Sequence, residues 1–377
     1  MIAGIAGAAT VAIWIYLVFA RGRFWLEFFH RSTAPGPLRR PPAIVAVIPA
    51  RNESLVVGQA IGSLRSQQYP GRFHIILVDD GSDDGTAEAA RAAAPSDLLT
   101  VVHAAPLPEG WSGKLWALAE GVRRAERLSP DLLLLTDADI VHAPGGLTDL
   151  AARAACGYDL VSYMATLQCQ TVAERVLVPA FVFFFFMLYP PARIRNSRRR
   201  TAGAAGGCML IRRTVLEQIG GIAAIRGALI DDCALARAVK RQGARVWLSV
   251  SAETRSIRPY QSFGEAGRMI SRTAFTQLHH SVWLLVGTII GMGVTYLAPP
   301  LLSVLGAARP AGLGSLAWLL MSCAYFPALR FYRRSPLWAP FLPLVALFYL
   351  GATLHSALAY WRGAGGMWKG RVQDALH

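Results

Sequence analysis

The chain has 377 residues, of which 54% are hydrophobic and 16% are charged, and its formal net charge is +15. Ordinary globular domains carry about 25% charged residues, so this composition indicates membrane segments and argues against a wholly soluble protein. A basic chain binds nucleic acid or an anionic membrane surface. Because the sequence has no zinc-finger spacing, RNA-binding aromatic motif or basic repeat, we expect a membrane as partner and no nucleic acid.

The N-terminal residues 2–20 are uncharged and almost wholly apolar, and this run is long enough to cross a bilayer. The alternative is a cleaved signal peptide, which would have a basic start that this chain lacks. Arginines follow the apolar run, so the positive-inside rule places the next segment in the cytoplasm. We therefore predict a transmembrane anchor at 1–20 and a basic, proline-rich linker at 21–42.

Apolar runs and helix-like segments alternate over the next hundred residues. Strands are predicted at 43–48, 73–78, 98–103 and 132–139, and helices at 55–68, 87–94 and 114–127. This alternation is typical of βαβ units and predicts an α/β fold with a parallel sheet. A further strand is expected at 159–164 and an edge strand at 246–249.

Acidic residues follow two of the predicted strands. Asp79 and Asp80 end one strand, and Asp137 and Asp139 end the leucine run of another. Ligands of open α/β sheets bind outside the carboxyl ends of the strands, and paired carboxylates suit Mg²⁺ or Mn²⁺ that carries a diphosphate. The alternative for a single such turn is an Asx turn or a helix cap.

Two later segments each allow two interpretations. Residues 176–192 are apolar and aromatic, are interrupted by Pro179, and precede a basic run at 193–200. We expect this segment, 176–200, to lie at the membrane interface, with a buried core helix as the alternative. Downstream of a glycine-rich stretch at 201–210, Asp231 and Asp232 open an amphipathic helix, where helix capping alone would also explain them.

The C-terminal third is membrane-like in composition. Residues 282–305, 313–331 and 337–360 are apolar enough to span, and a basic tail follows at 361–377. If all three segments cross and residues 21–281 are cytoplasmic, the tail lies outside, against the positive-inside preference. We therefore predict a membrane region at 282–360 with two or three spans, the segment containing Pro299 and Pro300 being the candidate for a re-entrant one.

Six sequence blocks occur in a characteristic order: VIPARNES, ILVDDGSDDGT, GWSGKLWAL, LLLLTDADI, GGCMLIRRTVLEQIGG and IDDCALA. In this order they resemble the family 2 inverting glycosyltransferases over roughly residues 43–280. The resemblance implies a nucleotide-sugar-binding GT-A (Rossmann-like) domain at 43–281 with flanking transmembrane helices. Within the family, the pattern is most similar to the hopanoid (hopene)-associated glycosyltransferases of bacteria.

The resemblance assigns roles to the acidic strand ends. Asp139 is the expected ligand of Mg²⁺ or Mn²⁺, and Asp137 would help to hold metal or sugar. Lys114, next to Gly113 at a helix start, would face the donor diphosphate; its alternative is an exposed surface lysine. The residues that would line the nucleotide-sugar pocket are Pro49, Ala50, Arg51, Glu53, Asp79, Asp80, Gly113, Lys114, Asp137, Ala138 and Arg272.

The resemblance also places the catalytic base at Asp232, with Asp231 as its neighbour. Processive members of the family carry Gln-x-x-Arg-Trp after the base, whereas this chain has Met269 and Thr273 at the outer positions and keeps only Arg272. Arg272 would contact diphosphate or, as the alternative, is a membrane-interface arginine. The missing tryptophan favours transfer of a single sugar rather than synthesis of a polymer.

These predictions describe a multi-pass enzyme of the inner (plasma) membrane with a cytoplasmic catalytic domain. It would move one sugar from a nucleotide-diphosphate donor, expected to be UDP-linked, to a lipid acceptor of hopanoid type. Polyprenyl-phosphate transfer, polysaccharide synthesis and a non-catalytic membrane scaffold are the alternatives.

Overall fold

The computed structural model describes residues 1–29, 36 and 38–366. The chain divides into two compact units. The sheet unit comprises Ser32–Gln168 and Arg193–Pro259, and the helix unit comprises Met1–Arg31, Cys169–Ala192 and Tyr260–His377. Residues 30–35 and 37 of the predicted linker and residues 367–377 of the predicted tail, among them Trp368, Lys369 and Arg371, lie outside the described residues.

Eight strands form one mixed sheet in the part of the chain that is described. They are β1 (Ile44–Ala50), β2 (Phe73–Asp79), β3 (Leu99–His103), β4 (Leu132–Thr136), β5 (Ile140–His142), β6 (Leu160–Thr166), β7 (Cys208–Arg212) and β8 (Val246–Ser256). Their spatial order is β3-β2-β1-β4-β7-β6-β8-β5. Every residue of β1 and β4 is buried, as expected of central strands covered on both faces.

The helices alternate with these strands and continue beyond them. They are α1 (Ile2–Ile15), α2 (Ser54–Arg65), α3 (Thr86–Ala93), α4 (Gly113–Glu126), α5 (Gly146–Ala155), α6 (Val172–Leu188), α7 (Pro191–Arg195), α8 (Arg213–Gln218), α9 (Asp231–Arg241), α10 (Phe263–Ala274), α11 (Val282–Met292), α12 (Ala298–Leu305), α13 (Ala308–Phe331) and α14 (Leu342–Trp361). The predicted α/β alternation is therefore present from β1 to β4, where β1 pairs in parallel with β2 and β4, and β2 with β3.

The second half of the sheet differs from a parallel sheet. β7 runs antiparallel to β4 and β6, and it lies where the sequence predicted only a glycine-rich stretch. The edge strand predicted at 246–249 is present, and these residues pair with β6 alone, but the prediction was too short: β8 continues to Ser256 and pairs antiparallel with β5 at its far end. The predicted strand 132–139 was too long: β4 ends at Thr136, and a turn containing Asp137 and Asp139 joins it to β5.

Helix α4 packs closely on the sheet because it has a glycine at the contact. A Cβ atom on Gly121 would clash with the Val47 side chain and would lie 3.0 Å from Cγ2 of Val78. Val47 and Val78 belong to the central strands β1 and β2 and are fully buried. The glycine thus sets the distance between α4 and the strands β1 and β2.

We expect Gly121→Ala to lower the free energy of unfolding by about 1–3 kcal/mol, because an added methyl group overpacks a full core. Thermal unfolding of the full chain in detergent would measure this change. The matched control is Gly62→Ala in α2, where a Cβ meets nothing within 4 Å, and where alanine should be neutral or stabilising by about 0.5–1 kcal/mol. Equal melting temperatures for the two variants would contradict the overpacking argument.

Five helical runs in the described part of the chain are long and apolar enough to cross a membrane. They are Ile2–Ala20, Val172–Arg195, Val282–Leu305, Ala308–Phe331 and Pro336–Trp361. The predicted break at Pro179 was wrong: α6 continues through it, and Leu177, Val178 and Ala180 beside the proline are almost fully buried. Tight packing on both sides of a proline maintains a helix that the missing hydrogen bond would otherwise weaken.

Candidate active site

The first part of the site joins the ends of β1 and β2. Arg51 Nη1 donates to the carbonyl oxygen of Asp80 at 2.5 Å and lies 3.8 Å from its carboxylate. Asn52, whose φ is +52°, has its backbone N–H 3.0 Å from the Ser82 hydroxyl oxygen. The turn after Pro49 and Ala50 is therefore fixed to the acidic loop after β2.

Asp79 is the last residue of β2, and Glu53 lies in the turn that follows β1. Asp79 is 3% exposed and accepts a hydrogen bond from the Ser82 hydroxyl, and the His103 ring lies 3.2 Å from its other oxygen. The Glu53 backbone N–H donates to Thr86 Oγ1 at 2.8 Å. Of the predicted nucleotide-pocket residues, six are thus grouped at two adjacent parallel strand ends: Pro49, Ala50, Arg51, Glu53, Asp79 and Asp80.

The second part is the turn between β4 and β5. Asp139 is 8% exposed. Its Oδ2 accepts a hydrogen bond from Ser256 Oγ at 2.7 Å and lies 3.3 Å from Nε of Arg258. Ala138 between the two acids is buried. The turn therefore holds one acid firmly from the neighbouring end of β8, while Asp137 faces another element.

That element is the start of α4. Ser112 caps the helix by accepting the backbone N–H of Leu115, and Gly113 is its first residue. Lys114 Nζ lies 2.9 Å from Asp137 Oδ1 and 3.1 Å from Asp231 Oδ2. Burial alone would lower the pKa of the Lys114 ammonium, but Asp137 and Asp231 hold it above its usual value. Lys114 is therefore a charged link between the acidic turn and α9, not an exposed surface lysine.

Asp231 and Asp232 form the first turn of α9. The Asp232 carboxylate accepts the backbone N–H of Gly206 at 2.8 Å and that of Cys233 at 2.6 Å. Burial and the neighbouring Asp231 nevertheless raise the pKa of Asp232 to about 6. Capping alone explains the bond to Cys233, which belongs to the helix, but not the bond to Gly206 or the Lys114 contact of Asp231. These contacts bring three separate sequence motifs to one place.

Sequence reasoning missed two of these contact residues, Ser256 and Arg258, and the role of Gly206. Ser256 is the last residue of β8 and Arg258 lies two residues beyond it, whereas the prediction ended this strand at Ser249. The available signal was that residues 249–256 contain no glycine or proline that would end the strand. Arg272 lies on α10 of the helix unit, and its predicted diphosphate contact stays a prediction.

Asp137 and Asp139 are suited to bind a divalent cation whose other ligands come from a substrate phosphate and water. Within the described residues, no three His, Cys, Asp or Glu side chains converge as a preformed metal site. Magnesium is typically held by one or two carboxylates, with substrate phosphates and water completing the shell. Asp137 and Asp139, in one turn at the carboxyl edge of the sheet, match that donor set. Carboxylate oxygens are also suitable ligands for Mn²⁺.

The mixed sheet and the acidic turn after β4 define a glycosyltransferase of the GT-A fold, as the sequence predicted. The chain belongs to the family described as "Glycosyltransferase like family 2", whose model matches residues 41–276. The predicted enzyme class is thereby confirmed.

Two relatives and one solved structure illustrate the similarity. The chain is 37% identical over 120 residues to an undecaprenyl-phosphate 4-deoxy-4-formamido-L-arabinose transferase of Pseudomonas paraeruginosa, a match that covers 31% of this chain and 34% of the relative. It is 36% identical over 99 residues to a 4,4'-diaponeurosporenoate glycosyltransferase of Staphylococcus aureus (strain USA300), covering 26% and 24%. The chain thus spans about a third of the length of the Pseudomonas relative and about a quarter of the length of the Staphylococcus relative.

The solved structure is a mannosyltransferase, PcManGT, from Pyrobaculum calidifontis in complex with GDP-Man and Mn²⁺. It superposes with a TM-score of 0.53 at 19% identity, covering 94% of this chain and 99% of that one. At this identity the match establishes the fold.

Proposed function

We propose that this protein is a membrane-bound, inverting, metal-dependent glycosyltransferase that moves one sugar from a nucleotide-diphosphate donor to an isoprenoid lipid. The observation that carries the proposal is the Lys114 link, which joins Asp137 of the acidic turn to Asp231 of α9. It brings the acids suited to the leaving diphosphate next to Asp232, a carboxylate suited to accept a proton. A single displacement needs these two functions close together.

In the proposed mechanism, Asp232 takes the proton from the acceptor hydroxyl as that oxygen attacks the anomeric carbon. Gly206 orients the carboxylate by donating its backbone N–H to Oδ2. Asp139 and Asp137 would hold Mg²⁺ or Mn²⁺, which supplies Lewis-acid stabilisation of the departing diphosphate. Lys114 and the N-terminus of α4 at Gly113 add positive charge on the same side.

The donor nucleotide is proposed to lie over the ends of β1 and β2. Arg51, Glu53, Asp79 and Asp80 provide charged groups for base and ribose contacts there, with Pro49 and Ala50 below them, and Ala138 lines the sugar side. We propose a UDP-linked sugar as donor and Arg272 as a further diphosphate contact. These assignments rest on the family resemblance and on the grouping of the side chains in the sheet unit.

For the acceptor, we propose a hopanoid-type lipid, with polyprenyl phosphate as the second candidate. The family 2 motifs most resemble those of hopanoid-associated enzymes, whereas the name of the Pseudomonas relative favours a polyprenyl phosphate. The Staphylococcus relative is named for a carotenoid acid, so isoprenoid chemistry is common to all three. The missing Gln-x-x-Arg-Trp weighs against a polysaccharide synthase, and the acidic site weighs against a non-catalytic scaffold.

We further propose that the enzyme resides in the inner membrane with its catalytic domain, 43–281, facing the cytoplasm. An anchor at 1–20 and a membrane region at 282–360 would hold it there. The linker 21–42 would join the anchor to the catalytic domain, and the basic tail 361–377 would follow the membrane region. Five apolar helical runs support a membrane location, and the arginines after residue 20 support the orientation.

The acceptor test uses the purified full chain in lipid nanodiscs with radiolabelled UDP-sugars and GDP-mannose. Three acceptors are offered separately: a hopanoid alcohol, undecaprenyl phosphate and a carotenoid carboxylic acid. We expect labelled lipid only with Mn²⁺ or Mg²⁺ present, and with the hopanoid. Transfer to undecaprenyl phosphate alone would establish the second candidate, and no turnover with any donor would favour the scaffold.

The raised pKa of Asp232 predicts the acid side of the pH profile. A base must be deprotonated to act, and the carboxylate fraction falls as the pH drops through about 6. We expect turnover at saturating donor to fall about tenfold for each pH unit below that value. Initial rates between pH 4.5 and 8 measure this limb, and a flat profile over the range would contradict the role of Asp232.

A further inference from the structure

Arg258 is held against the acidic turn by its own backbone. The N–H of Ile257 donates to the carbonyl oxygen of Asp139 at 2.9 Å, and the Arg258 N–H lies 3.3 Å from the Ser256 hydroxyl oxygen. Ser256 in turn donates to the Asp139 carboxylate. The segment that carries Arg258 is therefore fixed in register with Asp139, so the arginine is not a surface side chain that approaches by chance.

The guanidinium of Arg258 lies between two carboxylates that belong to different parts of the site. Its Nη2 is 2.5 Å from Oε1 of Glu53, in the turn after β1, and its Nε is 3.3 Å from Oδ2 of Asp139. The side chains of Glu53 and Asp139 are only 10% and 11% exposed, whereas that of Arg258 is 34% exposed. Arg258 is thus partly exposed to solvent while its guanidinium balances two nearly buried charges.

This arrangement places a cation where a divalent metal would compete with it. Removing the partner of a nearly buried carboxylate is costly, so Asp139 needs a positive neighbour when no metal is bound. A metal on Asp139 would lie close to the guanidinium and be repelled by it. A diphosphate offers the guanidinium bidentate hydrogen bonds of its own and would reduce that repulsion.

We propose that Arg258 is the resident counter-cation of Asp139 and Glu53, and that it turns to the donor diphosphate when the donor binds. Divalent metal and nucleotide would then bind together, each increasing the affinity for the other, because the coupling between two ligands is reciprocal. The inference rests on the proposed function, since it takes Asp139 to be a metal ligand. A merely structural clamp on Glu53 would give no such coupling.

The test measures Mn²⁺ binding to the full chain in detergent, by electron paramagnetic resonance of free Mn²⁺, with and without UDP or GDP. We expect Arg258→Met to bind Mn²⁺ alone about two- to fivefold more tightly than the wild type, the size of one partly exposed ion pair. The same variant should bind the nucleotide alone about tenfold or more weakly, because a charged hydrogen-bond partner is lost. The proposal therefore requires that Arg258→Met binds Mn²⁺ more tightly and nucleotide more weakly than the wild type.

Three variants serve as controls. Arg255→Met removes the same side chain from an exposed position of β8 and should leave both affinities unchanged. Arg258→Lys keeps the charge and should keep Mn²⁺ binding as weak as in the wild type, which separates the effect of the charge from that of the altered side chain. Asp139→Asn should weaken Mn²⁺ binding in the presence of nucleotide.

The possible outcomes distinguish a failure of the inference about Arg258 from a failure of the proposed function. If the wild type binds Mn²⁺ with nucleotide, but Arg258→Met binds Mn²⁺ alone no more tightly than the wild type, the inference is overturned and the proposed function stands. If the wild type binds no Mn²⁺ even with UDP or GDP, or if Asp139→Asn binds it equally well, the metal assignment of the proposed function fails, and the inference fails with it.

Discussion

Asp232→Asn is expected to lower turnover by about 10²–10⁴-fold, the contribution of a positioned general base. Asparagine keeps the size of the side chain and can still accept the Gly206 N–H through its amide oxygen, so the fold of the site should persist. The donor should bind with nearly unchanged affinity, because the proposed role of Asp232 is to act on the acceptor hydroxyl. Steady-state rates and nucleotide titration of the purified variant measure both quantities.

The matched control is Asp97→Asn, an identical change at an exposed position, which should leave turnover unchanged. The residual activity of Asp232→Asn should also lose the fall below about pH 6 that the raised pKa of Asp232 causes in the wild type. Turnover within threefold of the wild type would remove Asp232 from the mechanism.

Asp139→Asn should reduce turnover about a thousandfold at a fixed Mn²⁺ concentration, because Lewis-acid stabilisation of the leaving group is worth several kcal/mol. The neutral amide can still accept the Ser256 hydroxyl bond, but it is a poor ligand for a hard cation. Activity measured against increasing Mn²⁺ should therefore require a higher metal concentration for half-maximal rate.

A second measurement distinguishes loss of metal from loss of structure. The melting temperature of Asp139→Asn should remain close to that of Asp97→Asn, because the hydrogen bond to Ser256 is retained. Full activity of Asp139→Asn in the presence of a chelator would contradict a metal role for this turn. An unfolded variant would instead point to the ion pair with Arg258 as a structural requirement.

The sequence predicted those parts of the fold that depend on local pattern. Four consecutive leucines followed by two acids indicated a buried strand that ends at a ligand edge, and the alternation of strands and helices predicted the parallel pairing of β1 to β4. Because parallel strands expose their carboxyl ends at one edge, the grouping of Asp79, Asp80, Asp137 and Asp139 followed from the order of elements alone.

The missed features depend on long-range pairing. β7 is five residues long and follows a glycine-rich segment, so its local signal was weak, and it is stabilised by pairing with β4 and β6 on either side. β8 extends to Ser256 because β5, a three-residue strand, pairs with its far end. The contacts of Lys114 and Arg258 required knowing which strand ends meet, which no spacing in the sequence encodes.

The pairing of β4 with β7 has a consequence for the count of membrane crossings. These two strands are hydrogen-bonded to each other, so they lie on the same side of any bilayer, and the chain between them must cross it an even number of times. Val172–Arg195 is the single candidate span among the residues that separate them. Because one span alone would make an odd number of crossings, this helix does not carry the chain through a bilayer to the opposite side.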